Sequence, residues 1–258
     1  MIVKPNIDTA LTVALAPVLA AQTVWVKKRA LQLPEPVGPR YGSAGRGAPF
    51  RLLVLGDSSA AGVGVQTQSQ ALAPQLAARL GLTRRIDWTL AARNGATTAD
   101  VPDLLAPLKG TRFDLAYVIF GVNDAKNLRP ETAWRRDTAR AVEMLRNELT
   151  TRHVVFSGLP PVRDFPLLPH PLKSVLALRA ARFDRALRQV TSQFEDCHHL
   201  PTDPRLDPMG MAEDGFHPGP AIYSHWADMA AQGLAPFLRE SWPLFTIQNR
   251  KLPAMNRI

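Results

Sequence analysis

Ser58 stands in Gly56-Asp57-Ser58, directly after the apolar run Leu52–Leu55 and before a stretch rich in Gly and Ala. A serine hydroxyl is a weak nucleophile at its free pKa and needs an adjacent base. His217 supplies one, since histidine titrates near neutral pH. Asp214 lies three residues before it in Asp214-Gly215-Phe216-His217. That spacing lets a carboxylate reach the imidazole of its own loop, fixing its tautomer and supporting the imidazolium. Attack on an acyl carbon also needs donors for the developing oxyanion. The Asn123 side chain, the Gly95 backbone N–H and the N–H of Ser58 itself are the candidates. Each has a bland alternative. Asp57 or Ser58 is a helix N-cap, Asn94-Gly95 and Asp214-Gly215 are plain turns, Asn123-Asp124 caps a helix, and His217 opens one before Pro218.

These residues are far apart, so the elements between them must bring them together. Arg51–Leu55, Ile86–Ala91, Asp114–Phe120, His153–Ser157 and Cys197–Leu200 read as strands. Helical patterns fill Gln70–Leu80, Thr98–Leu108, Arg129–Thr150, Lys173–Gln193 and Pro218–Arg239. Alternation of this kind predicts a parallel sheet with helices on both faces and right-handed crossovers. Ser58 follows the first strand, Gly95 the second, Asn123 the third, and Asp214-Gly215-Phe216-His217 the fifth. All then emerge at the carboxyl edge, where open α/β sheets carry their ligand sites.

Gly56-Asp57-Ser58, Gly95, Gly121-Val122-Asn123-Asp124 and Asp214-Gly215-Phe216-His217 resemble, in order, the four blocks of the SGNH, or GDSL, hydrolase superfamily. Ser59 stands where the family's name motif has leucine. The resemblance spans about residues 51–220 and implies a flavodoxin-like, three-layer α/β/α fold with five parallel strands. It also implies a Ser58–His217 pair assisted by Asp214, an oxyanion hole of Ser58, Gly95 and Asn123, and no metal; no cofactor is expected.

Composition bounds the rest. The 258 residues suit one α/β domain, and 46% hydrophobic content supports a large core. One cysteine, Cys197, excludes an internal disulfide and fits a reducing compartment as a small buried hydrophobe. The net charge of +9 suits anionic partners. No nucleic-acid motif accompanies it, and no partner of that kind is expected. His198 and His199 are adjacent and would point to opposite strand faces, a poor metal pair. His153, His170 and His225 are isolated, and the Gly-rich turn after the first strand lacks a phosphate-loop Lys.

Ala10–Val26 is apolar, interrupted by Pro17 and Gln22, and is followed at once by Lys27, Lys28 and Arg29. Only Lys4 precedes it, which suits a cleaved signal poorly. A membrane anchor or interfacial helix through residues 10–29, with the basic side toward the cytoplasm, competes with a helix packed on the domain. Expected location is therefore cytoplasmic or the cytoplasmic face of a membrane. Residues 1–49 divide into this segment and a Pro/Gly-rich linker, Pro34–Pro49. A catalytic domain is expected over 50–245 and a basic tail over 246–258.

The loop Leu159–Pro171 is stiff with five prolines yet apolar. With Phe216, its Phe165, Leu167 and Leu168 are expected to wall an acyl or aryl pocket. The reading is a serine hydrolase for carboxylic esters with short- to medium-chain acyl or aryl groups, acting on a small-molecule or lipid-derived ester through an acyl-enzyme. Lysophospholipase, thioesterase and glycan O-deacetylase share that mechanism. A non-catalytic ligand-binding domain on the same fold is the reading from another class.

Overall fold

The computed structural model describes residues 7–239, with side chains from residue 11. The expected tail at 246–258 lies outside the described residues. The sheet has six strands: β1 (Tyr41–Ala44), β2 (Pro49–Gly56), β3 (Arg85–Ala92), β4 (Leu115–Ile119), β5 (His153–Ser157) and β6 (Cys197–Leu200). Their spatial order is β1-β3-β2-β4-β5-β6. All pairs from β3 to β6 are parallel, which is the flavodoxin-like arrangement.

The expected five strands are present. The sixth, β1, pairs antiparallel with β3. It comes from the stretch read as a linker, which instead packs along the sheet. Gly42 sits against the Trp88 ring, so a Cβ there would come within 3.0 Å of it. Pro36 is buried, and Val37 bridges to Thr67.

The helices are α1 (Ile7–Ala14), α2 (Ala16–Arg29), α3 (Ser58–Ala61), α4 (Leu72–Leu80), α5 (Val101–Leu105), α6 (Val122–Lys126), α7 (Glu131–Asn147), α8 (Leu172–Thr191) and α9 (Pro220–Leu238). Side chains alternate across β2, which makes two cores. Leu52 and Val54 join Leu72, Leu76 and Leu234 under α4 and α9. Leu53 and Leu55 join Trp134, Leu145 and Phe183 under α7 and α8, with α5 on the same side. Trp134 stacks on Phe183 at 5.4 Å between ring centres and donates its Nε1–H to the Phe183 carbonyl. Cys197 is buried, and burial pushes its thiol up to about 12.

The N-terminal segment is a helix pair broken at Leu15. Leu11, Leu15, Leu19 and Val26 recur at i+4 and i+7 and pack on the α8 side of the core. Gln22 fastens α2 further: its Nε2 donates to the His170 carbonyl at 2.6 Å, and its Oε1 accepts the Leu172 N–H at 3.0 Å. Among the described residues no helix is long and apolar enough to cross a membrane.

Candidate active site

From β2 the chain moves to β3 on one side and then crosses to β4 on the other. The carboxyl ends of β2 and β4 therefore flank the switch point, where a crevice opens. Ser58 follows β2 and Asn123 follows β4. The Asp57 N–H donates to the Ile119 carbonyl at 3.1 Å and sets the two strand ends side by side. Asp57 then caps α3, its Oδ1 accepting from the Ser59 N–H at 3.0 Å. Helix α3 presents Ser58, nearly buried, at its first position.

The His217 Nε2 lies 3.0 Å from the Ser58 Oγ. Its Nδ1 lies 2.5 Å from the Asp214 Oδ2. The other Asp214 oxygen accepts the N–H groups of Phe216 and His217, both at 2.9 Å. Asp214 is buried, which alone would raise its carboxyl. The bonds from the His217 ring and the two N–H groups outweigh that and hold it below the usual range. Ser58, His217 and Asp214 thus form one hydrogen-bonded line, as their chemistry requires.

Main-chain contacts place this line. Gly64 has φ +108, and a Cβ there would lie 2.2 Å from the Pro218 carbonyl. The serine loop and the histidine loop can therefore touch only because residue 64 is glycine. Tyr223 ties them again, its hydroxyl donating to the Val63 carbonyl at 2.7 Å. Gly215 has φ +62, and its carbonyl accepts the Leu167 N–H at 3.0 Å.

Asn123 is buried, and its Nδ2 donates to the Ala96 carbonyl at 3.0 Å. This bond draws the Asn94-Gly95 turn toward α6. Asp124 does the same, accepting from the Thr98 N–H and hydroxyl while paired with Arg129. It holds that neighbouring segment and is not the cap of α6, whose N-cap is Gly121. Burial raises the Asp124 carboxyl against those bonds. Glu35, from the former linker, accepts the Asn94 N–H at 2.7 Å and pairs with Arg40. Gly95 itself is exposed, with nothing within 4 Å of where a Cβ would stand.

A cavity opens beside Ser58 and Asn123. Its walls are mostly apolar: Ile119, Phe120, Val122, Pro160, Pro161, Phe165, Leu206, Met211 and Phe216. Phe165 meets Phe216 edge-on at 5.2 Å, and Phe216 meets the His217 ring in the same way. Two expected wall residues are elsewhere. Leu168 is buried in the core beneath, and Leu167 serves through its backbone N–H. In a proline-rich loop the alternation of inward and outward side chains is irregular, so adjacent apolar residues do not share a face.

Three lining groups escaped the sequence reading. Ile222, His225, Trp226 and Met229 recur at i+3, i+4 and i+7 and form one face of α9 along the cavity. That spacing was visible in the sequence. His225 pairs with Asp203 at 3.0 Å, and Thr202 and Asp203 add polar atoms to the same wall. Asp57 lines the cavity too, and burial pushes its carboxyl up to about 6. Among the described residues no cluster of three His, Cys, Asp or Glu side chains could hold a metal.

Residues 54–225 match the GDSL-like lipase/acylhydrolase family. No curated protein matches the chain. Solved structures that share the fold include the following three. A carbohydrate esterase family 2 enzyme plus carbohydrate binding domain from Corynascus thermopiles (Myceliophthora fergusii) is 14% identical, with TM-score 0.60 over 79% of this chain and 68% of that one. The carbohydrate acetylesterase Est24 from Sinorhizobium meliloti is 16% identical, with TM-score 0.55 over 72% and 99%. The aryl esterase of M. smegmatis is 16% identical, with TM-score 0.56 over 73% and 99%. With the match spanning most of the chain and the site formed where that match lies, the chain belongs to the GDSL-like lipase/acylhydrolase family.

Proposed function

We propose that the protein hydrolyses carboxylic esters with Ser58 as nucleophile. The observation that carries this reading is the continuous line from the Ser58 Oγ through the His217 ring to the Asp214 carboxylate, opening on an apolar cavity. The Ser58 Oγ attacks the ester carbonyl carbon as its proton passes to the His217 Nε2. Asp214 holds the Nδ1–H and stabilises the imidazolium. The carbonyl oxygen becomes an oxyanion and accepts from the N–H groups of Ser58 and Gly95 and from Asn123. The Asn123 amide carries two protons, and one is used on Ala96. The C–O bond then breaks, and the alcohol leaves with the proton from His217. Water attacks the acyl-Ser58 ester, giving a proton to His217, and the carboxylic acid departs as Ser58 is restored.

The face of α9 from Ile222 to Met229 adds roughly 10 Å of wall beyond the histidine loop, at 1.5 Å per residue. That length and its apolar lining favour medium-chain acyl or aryl esters, including thioesters and lysophospholipids of the same mechanism. One observation favours a second reading. Thr202, Asp203 and His225 offer hydrogen bonds to a polar alcohol such as a sugar.

The test is hydrolysis of p-nitrophenyl esters from acetate to decanoate, and of an acetylated sugar, by wild type and Ser58→Ala. A Ser58-dependent rate rising toward the middle of the series is expected. Preference for the acetylated sugar selects the second reading. Activity retained in Ser58→Ala, or no labelling of folded wild type by a fluorophosphonate, refutes the mechanism and leaves a ligand-binding domain.

A further inference from the structure

Between Asp8 and Lys27 the chain has no Asp, Glu, Lys, Arg or His. One side of this segment is spent on the domain, through Leu11, Leu15, Leu19 and Val26. The other side is apolar as well and faces outward. Val13, Pro17, Val18, Ala21, Val24 and Trp25 are all exposed, Val13 at 74% and Val24 at 53%. A helix apolar all round is normally buried, and this one is covered on one side only. Its last turn changes character at once, to Lys27, Lys28 and Arg29, with Arg29 over the Trp25 ring at 4.7 Å.

We propose that the outward face of α1 and α2 seats the protein on an anionic lipid surface. The apolar residues enter the headgroup boundary, Trp25 lies at the interface, and the basic turn meets lipid phosphates. Charge complementarity selects this occupant over a second copy. A chain of net charge +9 is attracted to an anionic surface, whereas two such chains repel.

The placement bears on the candidate site. Gln22 clamps α2 to the Leu159–Pro171 loop, whose Phe165 walls the cavity and whose Leu167 supports the Asp214–His217 turn. Lys27 is within electrostatic reach of Lys126, and the Lys126 Nζ stands 5.5 Å from the centre of the Phe216 ring. The basic end of α2 is thus linked through Lys126 to Phe216, a lining residue of the cavity.

The experiment uses the full chain and flotation with vesicles of phosphatidylcholine alone or mixed equally with phosphatidylglycerol. It reads binding and is independent of whether the protein is an esterase. Binding to the anionic vesicles alone is expected. Replacing Lys27, Lys28 and Arg29 together by Gln should weaken it roughly a hundredfold, from about 1 kcal/mol for each charge. Val18→Asp with Val24→Asp should abolish it while circular dichroism and hydrolysis of a soluble p-nitrophenyl ester stay at wild-type values. Failure to float with either vesicle overturns the proposal, as does equal binding to both. A dimer in light scattering that Val24→Asp dissociates also overturns it, by assigning the face to self-association.

Discussion

Asp57→Asn separates the stability of this site from its chemistry. Asp57 is 3% exposed. Burial pushes its carboxyl from an ordinary 3.8 to about 6, and Asp124 adds to the rise; the Ser59 N–H, His217 and Lys126 oppose it. Near pH 5 the folded protein therefore keeps a proton that the unfolded chain has released. Linkage makes stability fall as pH climbs from about 4 to about 6, and the loss is complete above the folded value. A shift of roughly two units corresponds to about 3 kcal/mol. Asn at this position removes the buried charge and retains an oxygen for the Ser59 N–H. The stability of Asp57→Asn relative to wild type should therefore rise by about 3 kcal/mol between pH 4 and pH 7. In a chain this size that is about 6–12 °C in Tm. Urea unfolding followed by circular dichroism, in small pH steps from 4 to 8, measures it. Asp214 and Asp184 are held low and give the opposite slope, but they are common to both proteins and cancel in the difference. A difference that stays flat across this range would refute the raised carboxyl and the burial argument behind it.

Asp214→Asn should lower kcat on a p-nitrophenyl ester by about 10⁴-fold, because the His217 ring loses the carboxylate that sets its tautomer. A loss under tenfold would mean that Asp214 only shapes the turn. Gly64→Ala drives a Cβ into the Pro218 carbonyl at a positive φ, and should cost about 2–3 kcal/mol in urea unfolding while lowering kcat. Gly47→Ala is the control, with φ +99 and nothing within 4 Å, and should cost about 1 kcal/mol with kcat unchanged. Met229→Trp should shift the preferred ester toward shorter chains by filling the cavity along α9, whereas Leu167→Ala should leave chain preference as it was. Competition assays across the ester series read both.

The five parallel strands were legible because each is a short apolar run ended by a turn, and their ends coincide with the observed ones to within two residues. β1 was not. Tyr-Gly-Ser-Ala has no apolar run, and its half-exposed residues depend on β3 and Trp88 rather than on local preference. Pro and Gly around it signalled a linker, yet Glu35 and Arg40 in that stretch reach the turn beside Gly95. At the site, Ser58, His217, Asp214 and Asn123 were legible because reactive side chains advertise their chemistry. For Asp57 the bland reading proved true as well, since it caps α3. It is also a buried carboxyl at the cavity, and burial is invisible in a sequence.

What the sequence hides is mostly main chain. The Leu167 N–H holds Gly215, the Pro218 carbonyl fills the space a Cβ at Gly64 would need, the Ala96 carbonyl accepts from Asn123, and the Asn94 N–H sits on Glu35. In two of these four contacts a backbone group lies against a glycine, and in the other two it meets a polar side chain. Backbone groups are the same in every residue, so position 167 tolerates many side chains, while position 64, at positive φ, tolerates glycine alone. A change at Leu167 that removes the N–H, Leu167→Pro, should therefore disturb the Asp214–His217 turn where Leu167→Ala does not. It is expected to lower kcat more than it lowers the affinity for ester. Equal activity of the two variants would show that the turn stands without that bond.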